Sequence, residues 1–176
     1  MLTQNVALAL LCAVAGWQDA ASGKIPNVLT YGGILLGMLL ALIQGTHSAG
    51  ANLAGLAVGF GLLIPFWLKS MIGGGDVKLA MMVGAMKGPG FLLYFFFYVF
   101  SLCFVVVFYT LIARTGIIRS LLYLFQNLWS LLTFRAFPEP PDELKNLRVP
   151  FGVLAVAAVL VCIVLEGSGH LTSPFE

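Results

Sequence analysis

Charge is scarce in this sequence. Only 9% of its 176 residues are Asp, Glu, Lys or Arg, against 60% hydrophobic residues and a mean hydropathy of +1.01. That shortage excludes a soluble domain with an ordinary polar surface. The nine basic residues form no run and are not interleaved with aromatics, so nucleic acid is not expected as a partner. Cysteine is sparse too: Cys12, Cys103 and Cys162 lie inside apolar segments and make no C-x-x-C pair. They read as small hydrophobes, and neither a metal nor a cofactor is expected. A G-x-S-x-G elbow, an H-E-x-x-H zinc helix and a glycine-rich phosphate loop are all missing. His47 and His170 read as loop residues. No basic region precedes the N-terminal apolar run and no small-residue cleavage motif follows it, so it is expected to be a retained span.

Hydrophobic length is what the sequence has in abundance. About six apolar stretches are separated by short polar or glycine-rich breaks, and roughly 20 apolar residues suffice for a helix to cross a bilayer. The expected spans run near Leu2–Trp17, Val28–Ile43, Leu53–Leu68, Asp76–Lys87, Phe91–Ala113 and Pro150–Leu165. The fourth is short and should be sheltered by its neighbours. Between residues 116 and 137, Arg119, Tyr123, Gln126, Asn127, Ser130 and Thr133 recur at helical spacing among Leu, Ile, Phe and Trp, which predicts an interfacial amphipathic helix. The predicted fold is therefore all-α, a polytopic membrane bundle of about six transmembrane helices and one cytoplasmic interfacial helix. Residues 1–176 are read as a single membrane-embedded domain, with the interfacial helix and loop at about 116–148. Glycine pairs four apart, Gly33 with Gly37, Gly55 with Gly59 and Gly84 with Gly88, read as close helix packing.

Loops rich in lysine and arginine stay in the cytoplasm. With the N-terminus outside, Lys24, Lys69, Lys78, Arg114, Arg119, Arg135, Lys145 and Arg148 fall on the cytoplasmic side, and Lys87 alone falls outside. Asp19 and Asp76 then share the cytoplasmic membrane face.

Of the seven acidic residues, Glu139, Asp142, Glu143, Glu166 and Glu176 are placed in late loops or the tail, as solvated surface. Asp19 and Asp76 each end a hydrophobic helix near membrane depth, where an ionisable group is expensive. Helix capping explains Asp76 about as well as chemistry does when it is taken alone. Together, flanked by Cys12, Ala15 and Gly16 on one side and Ala80 and Gly84 on the other, the two acids belong to helices with slender faces that allow close approach. Two carboxyls in contact hold one proton between them, which supplies a base to activate water and an acid to protonate an amide.

At these residues the sequence resembles the type IV prepilin peptidases, and is similar to archaeal preflagellin peptidases. Three segments carry the resemblance: Asp19 with Ile25-Pro26-Asn27, then Gly73-Gly74-Gly75-Asp76-Val77-Lys78-Leu79, then Pro150-Phe151-Gly152. The resemblance implies a G-x-G-D aspartic endopeptidase of the inner membrane. Asp19 and Asp76 become its catalytic pair, with Gly73 and Gly75 letting the backbone turn beside the second acid. It also implies a prepilin-type protein substrate, cut behind its short leader at the cytoplasmic face. No methylating module is expected, as in the short enzymes of tight-adherence pilus systems. Two other classes remain open: a proton- or cation-coupled transporter, since membrane carboxylates also mark ion pathways, and a non-catalytic pilus-assembly protein in which the aspartates only cap helices.

Overall fold

The computed structural model describes residues 2–69, 72–116 and 151–169, with isolated positions at 122, 125, 126, 129 and 130. Among the described residues the elements are all helices: α1 (Leu2–Ser22), α2 (Asn27–Gln44), α3 (Thr46–Leu68), α4 (Gly74–Thr115) and α5 (Phe151–Gly167). The interfacial helix and loop expected at about 116–148 fall largely outside the described residues, as do Pro150 and His170.

Helix boundaries follow from glycine and proline more than from polarity. The first helix does not stop at Trp17 as expected but runs on through Asp19 to Ser22. Gln, Ala and Ser tolerate a helix, and the chain first leaves it at Gly23, whose φ of 64 ends α1 with an N–H donated to the Asp19 carbonyl at 2.8 Å. Pro26, extended at φ −64 and ψ 136, precedes α2. The polar turn expected at Gln44–Ser48 shrinks to Gly45, at φ 119. In α4, Gly88 adopts φ 78 and ψ −179, a conformation essentially closed to other residues, and Pro89 opens the second stretch where its missing N–H costs nothing. The short fourth helix and the long fifth are therefore both present, hinged at Gly88.

The chain forms two compact units, Met1–Phe100 with Pro150–Glu176, and Ser101–Val149. In the first, the opening stretch of α4 is the core: Leu79, Ala80, Met82, Val83, Ala85 and Met86 are all fully buried. A helix apolar all round belongs in such a place. Its neighbours bury one stripe each. On α2 the stripe is Thr30, Gly33, Gly37 and Ala41; on α3 it is Asn52, Gly55, Gly59 and Leu63. A Cβ on Gly37 would stand 2.7 Å from Met86 Cγ, and one on Gly84 would stand 2.5 Å from the Gly55 carbonyl carbon. The glycine pairs are thus packing surfaces, as expected, and Gly88 serves the backbone bend as well, its Cα lying 2.8 Å from where a Gly55 Cβ would stand. Within the second unit, Phe104 and Phe108 stack along α4 with ring centroids 5.8 Å apart.

The outward faces are apolar. Val28 is 86% exposed, Ile43 82% and Trp17 77%, an exposed apolar surface of the kind that marks contact with a membrane or a partner. By length and composition, Ser48–Leu68 and Gly74–Arg114 can each cross a membrane, and Asn27–Ile43 and Phe151–Gly167 are shorter apolar helices.

Candidate active site

Asp76 is the third residue of α4, because the helix begins at Gly74 and not at the acid as expected. Gly73 occupies the cap position: its carbonyl accepts from the Asp76 N–H at 3.1 Å, while its own N–H donates to Asp76 Oδ2 at 3.1 Å. An acid at the third position reaching back to the cap residue is half of a capping box, and a helix N-terminus favours its negative charge. Gly73 and Gly75 are not among the residues with positive φ, and each stands close to neighbouring side chains. A Cβ on Gly73 would lie 3.3 Å from Asp76 Oδ2, one on Gly74 3.2 Å from Trp67 Nε1, and one on Gly75 3.3 Å from Ile25 Cβ.

Asp19 sits half-buried in the last turn of α1. Its Oδ2 accepts the Gly152 N–H at 2.7 Å, across 133 residues of sequence. The slender faces flanking the acids are used differently from the expectation. Gly16 of α1 lies against α5, where a Cβ would stand 2.6 Å from Val156 Cγ2 and 3.0 Å from the Gly152 carbonyl oxygen, and Gly84 of α4 lies against α3. Small residues let backbones approach whichever helix offers a matching gap. Even so, Asp19 in the last turn of α1 and Asp76 in the first turn of α4 both lie at one end of the first unit.

Further contacts join the segments that carry the acids. Ile25 is buried against Gly75. Lys78 Nζ donates to Asn27 Oδ1 at 2.7 Å and lies 5.1 Å from the Tyr31 ring centroid, tying the start of α4 to the start of α2. The Asn27–Lys78 pair and the Gly152 contact were not assigned from sequence, although all three residues lie in the segments that carry the resemblance.

At the other end of α1 stands a second polar cluster. Lys87 Nζ donates to Glu166 at 2.6 and 2.8 Å and to Asn5 Oδ1 at 2.8 Å, and Asn5 Nδ2 donates to Glu166 Oε2 at 3.0 Å. Glu166, expected as solvated tail, is instead the last acid of α5, held in an ion pair with a lysine whose side chain is only 4% exposed. Cys12 and Cys162 are buried apolar positions, as expected. Among the described residues, no group of three or more His, Cys, Asp or Glu is placed to hold a metal ion.

A sequence profile described as the type IV leader peptidase family matches residues 6–111, which include Asp19, Ile25-Pro26-Asn27 and Gly73–Leu79 but not Gly152. No curated protein and no solved structure matches the chain. With more than half of its length matched, the chain belongs to the type IV leader peptidase family.

Proposed function

We propose that the chain is a multi-pass aspartic endopeptidase that removes the leader of prepilin-type proteins at the cytoplasmic face of the inner membrane, with Asp19 and Asp76 as its catalytic pair. What supports this reading is the placing of the two acids: Asp19 lies in the last turn of α1 and Asp76 in the first turn of α4, each with one carboxylate oxygen held by a backbone N–H. Like-charged carboxyls at close quarters retain a proton between them. The ionised member takes a proton from water as the water oxygen attacks the scissile carbonyl, and the protonated member gives its proton to the carbonyl oxygen. Collapse of the resulting diol expels the amine, which leaves with a proton from the pair. The two acids supply base and acid without any further group.

The backbone N–H of Gly73 holds one oxygen of Asp76, and the N–H of Gly152 holds one oxygen of Asp19. The second oxygen of each is assigned to water and substrate. The prepilin leader is short and basic, and the basic loops expected on the same face do not attract it, so its recognition rests on other groups.

Co-expression with a prepilin-type substrate tests the reading through the mobility shift on leader removal. Asp19→Asn and Asp76→Asn should each abolish the shift while the proteins still accumulate in the membrane. Cleavage that persists in both variants refutes the assignment, as does flux driven by a pH gradient in liposomes that Asp76→Asn removes from a protein unable to cut any prepilin.

A further inference from the structure

The geometry points to Gly152 as a positioning residue for Asp19: its N–H, in the first turn of α5, holds the carboxylate in its working orientation, and only a residue without a side chain fits there. This inference rests on the aspartic peptidase reading and adds to it a residue beyond the matched segment 6–111.

Three observations carry it. The hydrogen bond is short, 2.7 Å from Gly152 N to Asp19 Oδ2, and it joins a buried residue to a half-buried one. The N–H groups of a first helical turn have no partner inside the helix, so the donation costs α5 nothing and satisfies a group that would otherwise need another acceptor. Finally, a Cβ at residue 152 would lie 2.7 Å from Asp19 Cβ, 2.9 Å from Oδ2 and 3.1 Å from Cγ. These atoms are the root and head of a short side chain with two torsions, and they cannot swing aside without moving the carboxyl. Nor can α1 withdraw as a body, because one turn earlier Gly16 is packed against Val156 and the Gly152 carbonyl. Gly152 is therefore fixed from both sides, by what it donates and by what it leaves empty.

The consequence is kinetic. A carboxylate turned away from its partner acid still leaves the substrate surface intact, so turnover falls while substrate affinity stays. A misplacement of the reacting group by about 1 Å costs on the order of 100-fold in rate.

The test uses the full chain in nanodiscs with a purified prepilin-type substrate and steady-state kinetics. Two variants remove the contact differently. Replacing residue 152 by glycolic acid turns the amide into an ester, deleting the N–H and adding no atom, while Gly152→Ala keeps the N–H and adds the Cβ. Each should lower kcat per folded molecule by about 10- to 100-fold with KM within about threefold of wild type; the ester variant also loses a charge-assisted hydrogen bond and should unfold at a lower temperature. Gly61→Ala, where a Cβ meets nothing within 4 Å, is the control and should turn over normally. Wild-type kcat in both Gly152 variants overturns the inference, as does a loss that matches a fall in folded protein for both. Asp19→Asn separates the two levels: if it abolishes cleavage while the Gly152 variants are normal, only the positioning role falls, and if it cleaves normally the aspartic reading falls with it.

Discussion

Replacing Lys87 with methionine should destabilise the helix bundle strongly while leaving the chemistry of folded molecules unchanged. Lys87 joins α4 to α1 through Asn5 and to α5 through Glu166, and its side chain is 4% exposed against 23% for Glu166. Removing one partner of a buried pair costs about 3–5 kcal/mol, because the remaining charge is stranded. Glu166 retains some access to solvent, which screens it and brings the expected loss to about 2–4 kcal/mol. A double replacement, Lys87→Met with Glu166→Met, strands no charge, although Asn5 loses both of these partners, and should cost less than Lys87→Met alone, since a well-packed apolar pair is often no worse than the ion pair it replaces. Equilibrium unfolding in mixed micelles, arranged as a double-mutant cycle, measures the coupling directly. Asn5 and Asp19 lie fourteen residues apart on one helix, about 21 Å at 1.5 Å per residue. At that distance kcat per folded molecule should hold. An additive cycle, or a Lys87→Met protein within about 0.5 kcal/mol of wild type, would refute the reasoning.

Two further substitutions probe the glycines. Gly84→Val drives a side chain into the Gly55 carbonyl carbon, 2.5 Å from the Cβ position, and should cost at least about 3 kcal/mol in the same unfolding assay because backbone, not a flexible side chain, blocks it. Gly88→Ala has room, with its nearest neighbour 3.6 Å away, but forces alanine to φ 78; a loss of about 1–3 kcal/mol is expected, and an unchanged midpoint would contradict the strain argument.

The parts of the fold legible in the sequence were those written in glycine and proline. Gly33, Gly37, Gly55, Gly59 and Gly84 marked close crossings, and the Gly88-Pro89 step separated two helices that were expected apart. Apolar periodicity carried less. In a chain whose outward faces are as apolar as its interior, leucine and valine occupy both inside and outside, so the buried stripe shows in its small and polar members, such as Thr30 and Asn52, rather than in hydrophobicity. Polarity also misled at the ends. Gln18–Ser22 looked like a break yet continues α1, because helix ends are fixed by what the backbone can adopt, and Gly23 is where it turns. The long-range contacts were not legible: Gly152 with Asp19, Lys87 with Glu166 and Asn5 with Glu166 span 79 to 161 residues, and no local pattern encodes which groups meet at that range.

The contrast between the two ends of α1 bears on why carboxyls and not ion pairs serve the proposed reaction. At one end a lysine neutralises the acid, and the cluster Lys87, Glu166 and Asn5 is closed upon itself. At the other, each acid is held by a backbone N–H, which fixes an oxygen without carrying a full positive charge. Lys78 stands only two residues beyond Asp76, but it is engaged by Asn27 and by the face of Tyr31. A lysine bonded to either acid would stabilise the doubly ionised pair and remove the reason for a shared proton. In the proposed reaction, two carboxyls held only by dipoles remain free to share a proton, one serving as base and the other as acid. Asn27, in the Ile25-Pro26-Asn27 segment, therefore contributes by occupying a cation as much as by joining α2 to α4.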